Sequence, residues 1–149
     1  MPYDKTQLTG WSEGMNITLE ADYAVRIVYA LVRSKARMDA KAIAEETGVT
    51  LRFSLKILRK LVAAGIVKSF KGTQGGYEIG KPPEEISLGE VIESIEGRFT
   101  ISRCVCGDYT CTRKKGTPCP FQKIYCEISR DVRTALYSHH FSEFQQQDR

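Results

Sequence analysis

Cysteine is absent from most of this chain. All five cysteines lie within 23 residues, as Cys104, Cys106, Cys111, Cys119 and Cys126, and the other 126 residues carry none. Disulfides that stiffen a small domain tie distant segments together, so this distribution argues against a disulfide framework. A tight cluster with an odd count fits a metal or redox site instead. Long apolar runs are also missing: no stretch of 18 apolar residues occurs, which excludes a hydrophobic transmembrane helix. The first ten residues lack the apolar core of a secretory signal, so the expected location is the reducing cytoplasm. No glycine-rich fingerprint follows a strand and no nucleophile–base pair stands out, so no enzymatic activity is expected. The two histidines, His139 and His140, are adjacent and read as surface residues at a helix C-terminus.

What is present is a 149-residue chain of ordinary globular composition, 42% hydrophobic and 27% charged, with net charge +4. That length suffices for one domain with a core and a dimerisation element. The charge is uneven. Residues 50–81 hold seven basic groups (Arg52, Lys56, Arg59, Lys60, Lys68, Lys71 and Lys81) against one acid, Glu78. A concentrated basic module is the footprint a nucleic-acid binder needs, although a solvated charged face looks the same in isolation.

Residues 1–14 show little apolar pattern and read as an arm or a remnant ahead of Met15. Tyr23, Ile27, Ala30 and Leu31 recur at helical spacing up to about Ser34. Residues 39–47 form a short helix ended by Gly48. Thr50 caps a third helix that runs to about Ala64 and stops at Gly65. Helix, glycine turn and helix make a helix-turn-helix. On the third helix Arg52, Lys56, Arg59 and Lys60 fall on one side, with Phe53, Ile57, Leu58, Leu61 and Val62 on the other. Ile66 to Lys71 alternates as a strand, Gly72-Thr73-Gln74-Gly75-Gly76 is a loop, and Tyr77-Glu78-Ile79 returns. A hairpin after a helix-turn-helix is the wing of a winged helix, whose tip reaches phosphates or the minor groove.

Lys81-Pro82-Pro83 is a stiff connector, and Ser87-Leu88-Gly89-Glu90 fits a capping box opening a helix that Gly97 ends. Beyond the cysteine loop, a long helix from Pro120 to about His139 spaces Phe121, Tyr125, Ile128, Val132 and Ala135 by 4, 3, 4 and 3. That narrow seam suits a partner helix, or the chain's own domain. The fold class is mainly α with a small β-hairpin. The expected organisation is an N-terminal arm (1–14), a winged helix-turn-helix domain (15–83), a connecting helix (84–103), a cysteine-rich loop (104–119), a dimerisation helix (120–141) and a flexible tail (142–149). The thiols suit zinc as well as an iron–sulfur cluster, since both prefer soft sulfur ligands.

Taken together, Asp22-Tyr23-Ala24-Val25-Arg26, Leu55-Lys56-Ile57-Leu58-Arg59-Lys60-Leu61, Gly75-Gly76-Tyr77, Ile86-Ser87-Leu88-Gly89-Glu90-Val91-Ile92 and Glu96-Gly97 resemble the bacterial IscR/NsrR/CymR family of winged-helix transcription regulators. The resemblance runs from Met15 to about Phe144 and is nearest to the cluster-sensing IscR-type branch. It implies a homodimer with a long crossing helix, a palindromic double-stranded DNA operator, and an iron–sulfur cluster, 2Fe–2S with 4Fe–4S as the alternative, held by Cys104, Cys111 and Cys119. Six and seven residues separate these cysteines, where the family commonly has five and five. Cys106 is an extra that could replace Cys104, and Cys126 ranks last. One branch takes a fourth ligand from a histidine three residues after the third cysteine, where this chain has Gln122. Another takes a carboxylate from the partner's N-terminal segment, at the position of Asp22, with Glu20 as the alternative.

The function so implied is a cluster-sensing regulator, a repressor of iron–sulfur cluster biogenesis or related stress genes. The alternatives are a metal-free regulator controlled by thiols or a partner protein, and a zinc-stapled DNA-binding protein. Arg52, Ser54 and Lys56 are the expected base or phosphate contacts, and Arg59 and Lys60 the phosphate contacts. Lys71, Thr73 and Gln74 would serve the minor groove.

Overall fold

The computed structural model describes residues 16–105, 109–113 and 119–145. The expected arm (1–14), Cys106 and the last four residues lie outside them.

Five helices and one hairpin follow in order: α1 (Leu19–Ser34), α2 (Ala40–Thr47), α3 (Leu51–Ala63), β1 (Val67–Phe70), β2 (Gly76–Ile79), α4 (Leu88–Glu96) and α5 (Pro120–Ser138), with short 3-10 turns at Pro83–Glu85, Arg103–Val105 and Phe141–Phe144. Each of the first four helices starts at a side-chain cap: the side chains of Thr18, Asp39, Thr50 and Ser87 accept the N–H three residues on. Gly48 ends α2 at φ 68, the left-handed conformation that lets the chain turn sharply into α3. α1 ends differently. Lys35 takes φ 51 without being glycine, so no stop signal marked that boundary in the sequence.

α1 runs through the middle of the head. Ala24, Ile27, Val28 and Leu31 are buried against Ile43 of α2, Ile57, Leu58 and Leu61 of α3, and Ile66, Val67, Ile86 and Val91. β1 and β2 pair antiparallel, Val67 opposite Ile79 and Phe70 opposite Gly76. Met38 adds an isolated antiparallel bridge to β2 by exchanging backbone hydrogen bonds with Tyr77 at 2.7 and 2.9 Å. Gly76 sits at φ 139 against the Met38 carbonyl, where a Cβ would lie 2.6 Å from that oxygen.

Two expectations need correction here. The Ser87 half of the capping box forms, but the Glu90 carboxylate pairs with Lys81 at 2.5 Å. The helix expected over 120–141 ends at Ser138, and Phe141, 1% exposed, turns into the core; Phe144, within the expected flexible tail, packs on it in a 3-10 turn. The Phe141 N–H donates to the Ile86 carbonyl and the Leu88 N–H to that of His139, which stitches this segment to the start of α4. Apolar burial of one phenylalanine outweighs the polar residues around it.

Candidate nucleic-acid interface and cysteine cavity

On α3 the exposed side carries Arg52, Lys56 and Arg59, while Ile57, Leu58 and Leu61 are fully buried. Ser54 is not on the exposed side. It is 0% exposed, and its hydroxyl reaches the Val49 carbonyl at 3.5 Å. It belongs to the helix's inward face and cannot touch DNA, which corrects its assignment as a contact. Phe53, placed by its chemistry on the buried side, is 46% exposed. Lys56 and Lys60 both reach back to Glu20 on α1, at 3.1 and 2.8 Å. The Lys60 hydrogen bond leads in holding the Glu20 carboxyl below its ordinary range, against the opposing effect of burial. Glu20 therefore orients two lysines of α3 within its own chain.

The wing is braced from outside the hairpin. The Arg37 guanidinium lies 3.5 Å from the Phe70 ring centroid, donates to the Gln74 carbonyl at 2.8 Å and pairs with Glu78 at 3.4 Å. Lys71, Thr73 and Gln74 are exposed at the tip. Sequence reading missed Arg37, because a residue before α2 gives no local sign of a contact with residue 74.

The described cysteines separate into two groups. Cys104, Cys111 and Cys119 line one open cavity of about 560 Å³ together with Ser102, Tyr109, Arg113, Phe121 and Tyr125. Cys126 lies outside it, exposed on α5. Cys119 stands at the N-cap of α5, where the N–H groups of Gln122 and Phe121 and the Arg113 guanidinium, 3.1 Å from its sulfur, hold the thiol below its ordinary range. Cys104 has Ser102 Oγ at 3.1 Å from its sulfur, and its carbonyl accepts from the Gln122 side chain at 2.8 Å. Gln122, where a histidine ligand could have stood, thus anchors the backbone of Cys104. Among the described residues no three histidine, cysteine or acidic side chains converge closely enough to hold one metal ion. Asp22 pairs with Arg26 on its own helix at 2.7 Å, with its side chain 39% exposed.

The segment before Cys104 is fastened to both α4 and α5. Glu93 receives Arg133 through two nitrogens at 2.6 and 2.9 Å, the Tyr137 hydroxyl at 2.7 Å and the Phe99 N–H at 2.8 Å. The Arg133 hydrogen bond leads in pulling the Glu93 carboxyl down to about 2. Ser129, buried on α5, accepts from the Ile101 N–H at 3.1 Å. The opposite side of α5 faces outward: Phe121, Ile124 and Ile128 are 53, 49 and 41% exposed. Of the expected seam residues, Tyr125 and Val132 are half-buried, and Ala135 is exposed.

A winged head with a basic reading helix, joined to a helix that presents an apolar stripe, has a known counterpart. A family model described as "Rrf2: Iron-dependent Transcriptional regulator" matches residues 17–147. The chain belongs to the Rrf2 family. Among its Rrf2 relatives is the HTH-type transcriptional regulator IscR of Aliivibrio salmonicida, 29% identical over 124 residues, covering 82% of this chain and 72% of that protein. The solved structure of T. potens IscR superposes with TM-score 0.73 at 21% identity, over 91% of this chain and 90% of the other. CymR, the global cysteine regulator of B. subtilis, superposes with TM-score 0.71 at 22% identity, over 89% and 97%. At those identities the two structures establish the fold. The family establishes a DNA-binding transcription regulator and not an enzyme. No described helix of this Rrf2 regulator is long and apolar enough to cross a membrane.

Proposed function

We propose that this chain is a homodimeric regulator that reads a palindromic duplex in the cytoplasm and responds to an iron–sulfur cluster held by Cys104, Cys111 and Cys119. One observation carries the reading: three thiols share a cavity at the N-terminus of α5, where N–H groups and the Arg113 guanidinium hold the Cys119 thiol below its ordinary range. Soft thiolates are the donors such a cluster takes. A cluster with three cysteine ligands is easily lost or altered, and this supplies the chemistry of a sensor. The fourth ligand would be Asp22 from the partner subunit, which must leave Arg26 to serve. Glu20 is disfavoured in that role because Lys56 and Lys60 already hold it.

The apolar stripe Phe121–Ile124–Ile128 supports dimerisation through α5, since it is exposed while the other side of the helix packs on α4. In such a dimer two α3 helices would enter major grooves about 34 Å apart. Arg52 and Lys56 would meet bases or phosphates, Arg59 and Lys60 phosphates, and Lys71 with Thr73 and Gln74 the minor groove.

A second reading, a metal-free regulator controlled by its thiols, is favoured by the lack of converging metal ligands among the described residues. Anaerobic purification with iron and sulfide analysis separates the readings. Near-stoichiometric iron and sulfide, lost in Cys104→Ala, Cys111→Ala and Cys119→Ala but kept in Cys126→Ala, is the expected outcome. Zinc, or a colourless protein after reconstitution, would contradict it.

A further inference from the structure

We propose that Leu51 and Phe53, at the start of α3, read thymine by covering the C5 methyl groups that this base presents in the major groove. The proposal rests on the DNA-reading function above and deepens it.

The observation is an exposed face with the wrong composition for phosphate binding alone. Leu51 and Phe53 are each 46% exposed. They share one open concavity of about 940 Å³ with Arg52, Leu55, Lys56 and Arg59. At ~100° per residue, Leu51 and Leu55 form one edge of that face, Phe53 the other, and the three cations run between them. A phosphate gives an apolar side chain nothing to bind. In the major groove, however, thymine alone among the four bases offers an apolar group beside its hydrogen-bonding edge.

Position favours the same answer. The N-terminal residues of a recognition helix meet base edges, and Leu51 is the first residue of α3, held by the Thr50 cap. Phe53 is not a loose side chain. Its ring stands edge-on to Tyr23 of α1, with centroids 6.3 Å apart and planes at 72°. An aromatic ring fixed in this way presents a constant surface. A protein partner fits the patch less well. A second copy of the same face would set Arg52, Lys56 and Arg59 against their own kind, whereas DNA supplies the complementary charge.

The test uses the full chain. Binding sites are selected from a random duplex pool, and each thymine of the recovered half-site is replaced singly by deoxyuridine. That change deletes one methyl group and keeps every hydrogen-bonding atom. The expected result is about a fourfold loss of affinity at one or two positions per half-site, the factor for one buried methyl-sized group. Leu51→Ala or Phe53→Ala should bring the thymine-to-deoxyuridine ratio to one at the position it reads, while Lys56→Ala keeps the ratio. Leu51→Ala tests the point without disturbing the Tyr23–Phe53 contact. Equal binding of thymine and deoxyuridine duplexes at every position would overturn methyl reading alone, as would a Leu51→Ala variant that loses affinity with the ratio kept. Recovery of no preferred duplex would overturn the DNA-reading function itself.

Discussion

The head and the cysteine segment are held in opposite ways. In the head, every helix is capped by a side chain, and the core from Ala24 to Leu61 closes on itself, with Phe141 returning from the far end of the chain to complete it. In the cysteine segment the fastenings described lie at the two ends. Glu93, Ser129 and Gln122 hold residues 99–104, and the first turn of α5 with Arg113 holds Cys119. Cys111 and its neighbours from Tyr109 to Arg113 are exposed. The head needs no ligand to define its shape. Among the described residues, the cysteine cavity is held by polar contacts at residues 99–104 and at Cys119 rather than by a core of its own.

The comparison breaks hardest at Glu93, which joins the two regions. Glu93→Ala leaves the Arg133 guanidinium, the Tyr137 hydroxyl and the Phe99 N–H without their shared acceptor. A loss of about 3 kcal/mol is expected, read as a fall in Tm of roughly 6–12 °C. The same group predicts an acid transition. Its carboxyl is held near 2, below the ordinary 4.5, so its stabilisation is complete above about pH 4.5. It is lost as the pH falls towards 2, and the Glu93→Ala variant should lack that part of the acid slope.

A smaller effect is expected at Gly89. A Cβ there would run into the Tyr137 ring, 2.7 Å from Cε2, so Gly89→Ala should force α4 and α5 apart at a cost of about 2 kcal/mol. Thermal unfolding would measure it, and an unchanged Tm would show that the two helices pack differently.

DNA binding sharpens the comparison from the other side, because it should depend on the head's charges. Lys71→Ala should weaken all duplexes alike and flatten the salt slope by about one. An unchanged affinity and slope would remove the wing from the interface. The smallest effect is expected at Glu20→Gln, which frees Lys56 and Lys60. The salt slope should then steepen by up to about one, with tighter non-specific binding.

Local signals made much of the head legible. Gly48, Gly65 and Gly97 marked helix ends, Thr50 and Ser87 marked starts, and alternation from Ile66 to Lys71 marked the strand. The errors lie where a remote partner decides. Ser54 looked like a contact because it is polar and sits among cations, but the Val49 carbonyl takes its hydroxyl. Phe141 read as the end of the dimerisation helix, but the core of the head, from Ala24 to Val91, receives it. The bracing of the wing by Arg37 and the clamp on Glu93 are long-range, and no short window shows them. In the cysteine segment, sequence named the thiols, and the structure places three of them on one cavity.

In the proposed function, the state of the cysteine cavity sets how the head meets DNA. The most direct test is the affinity of one selected duplex for anaerobically reconstituted protein and for the same protein stripped of iron, at a single salt concentration. The account predicts affinities that differ at least about fivefold, with the difference abolished in Cys119→Ala. Equal affinities in a preparation shown to hold iron and sulfide would contradict it.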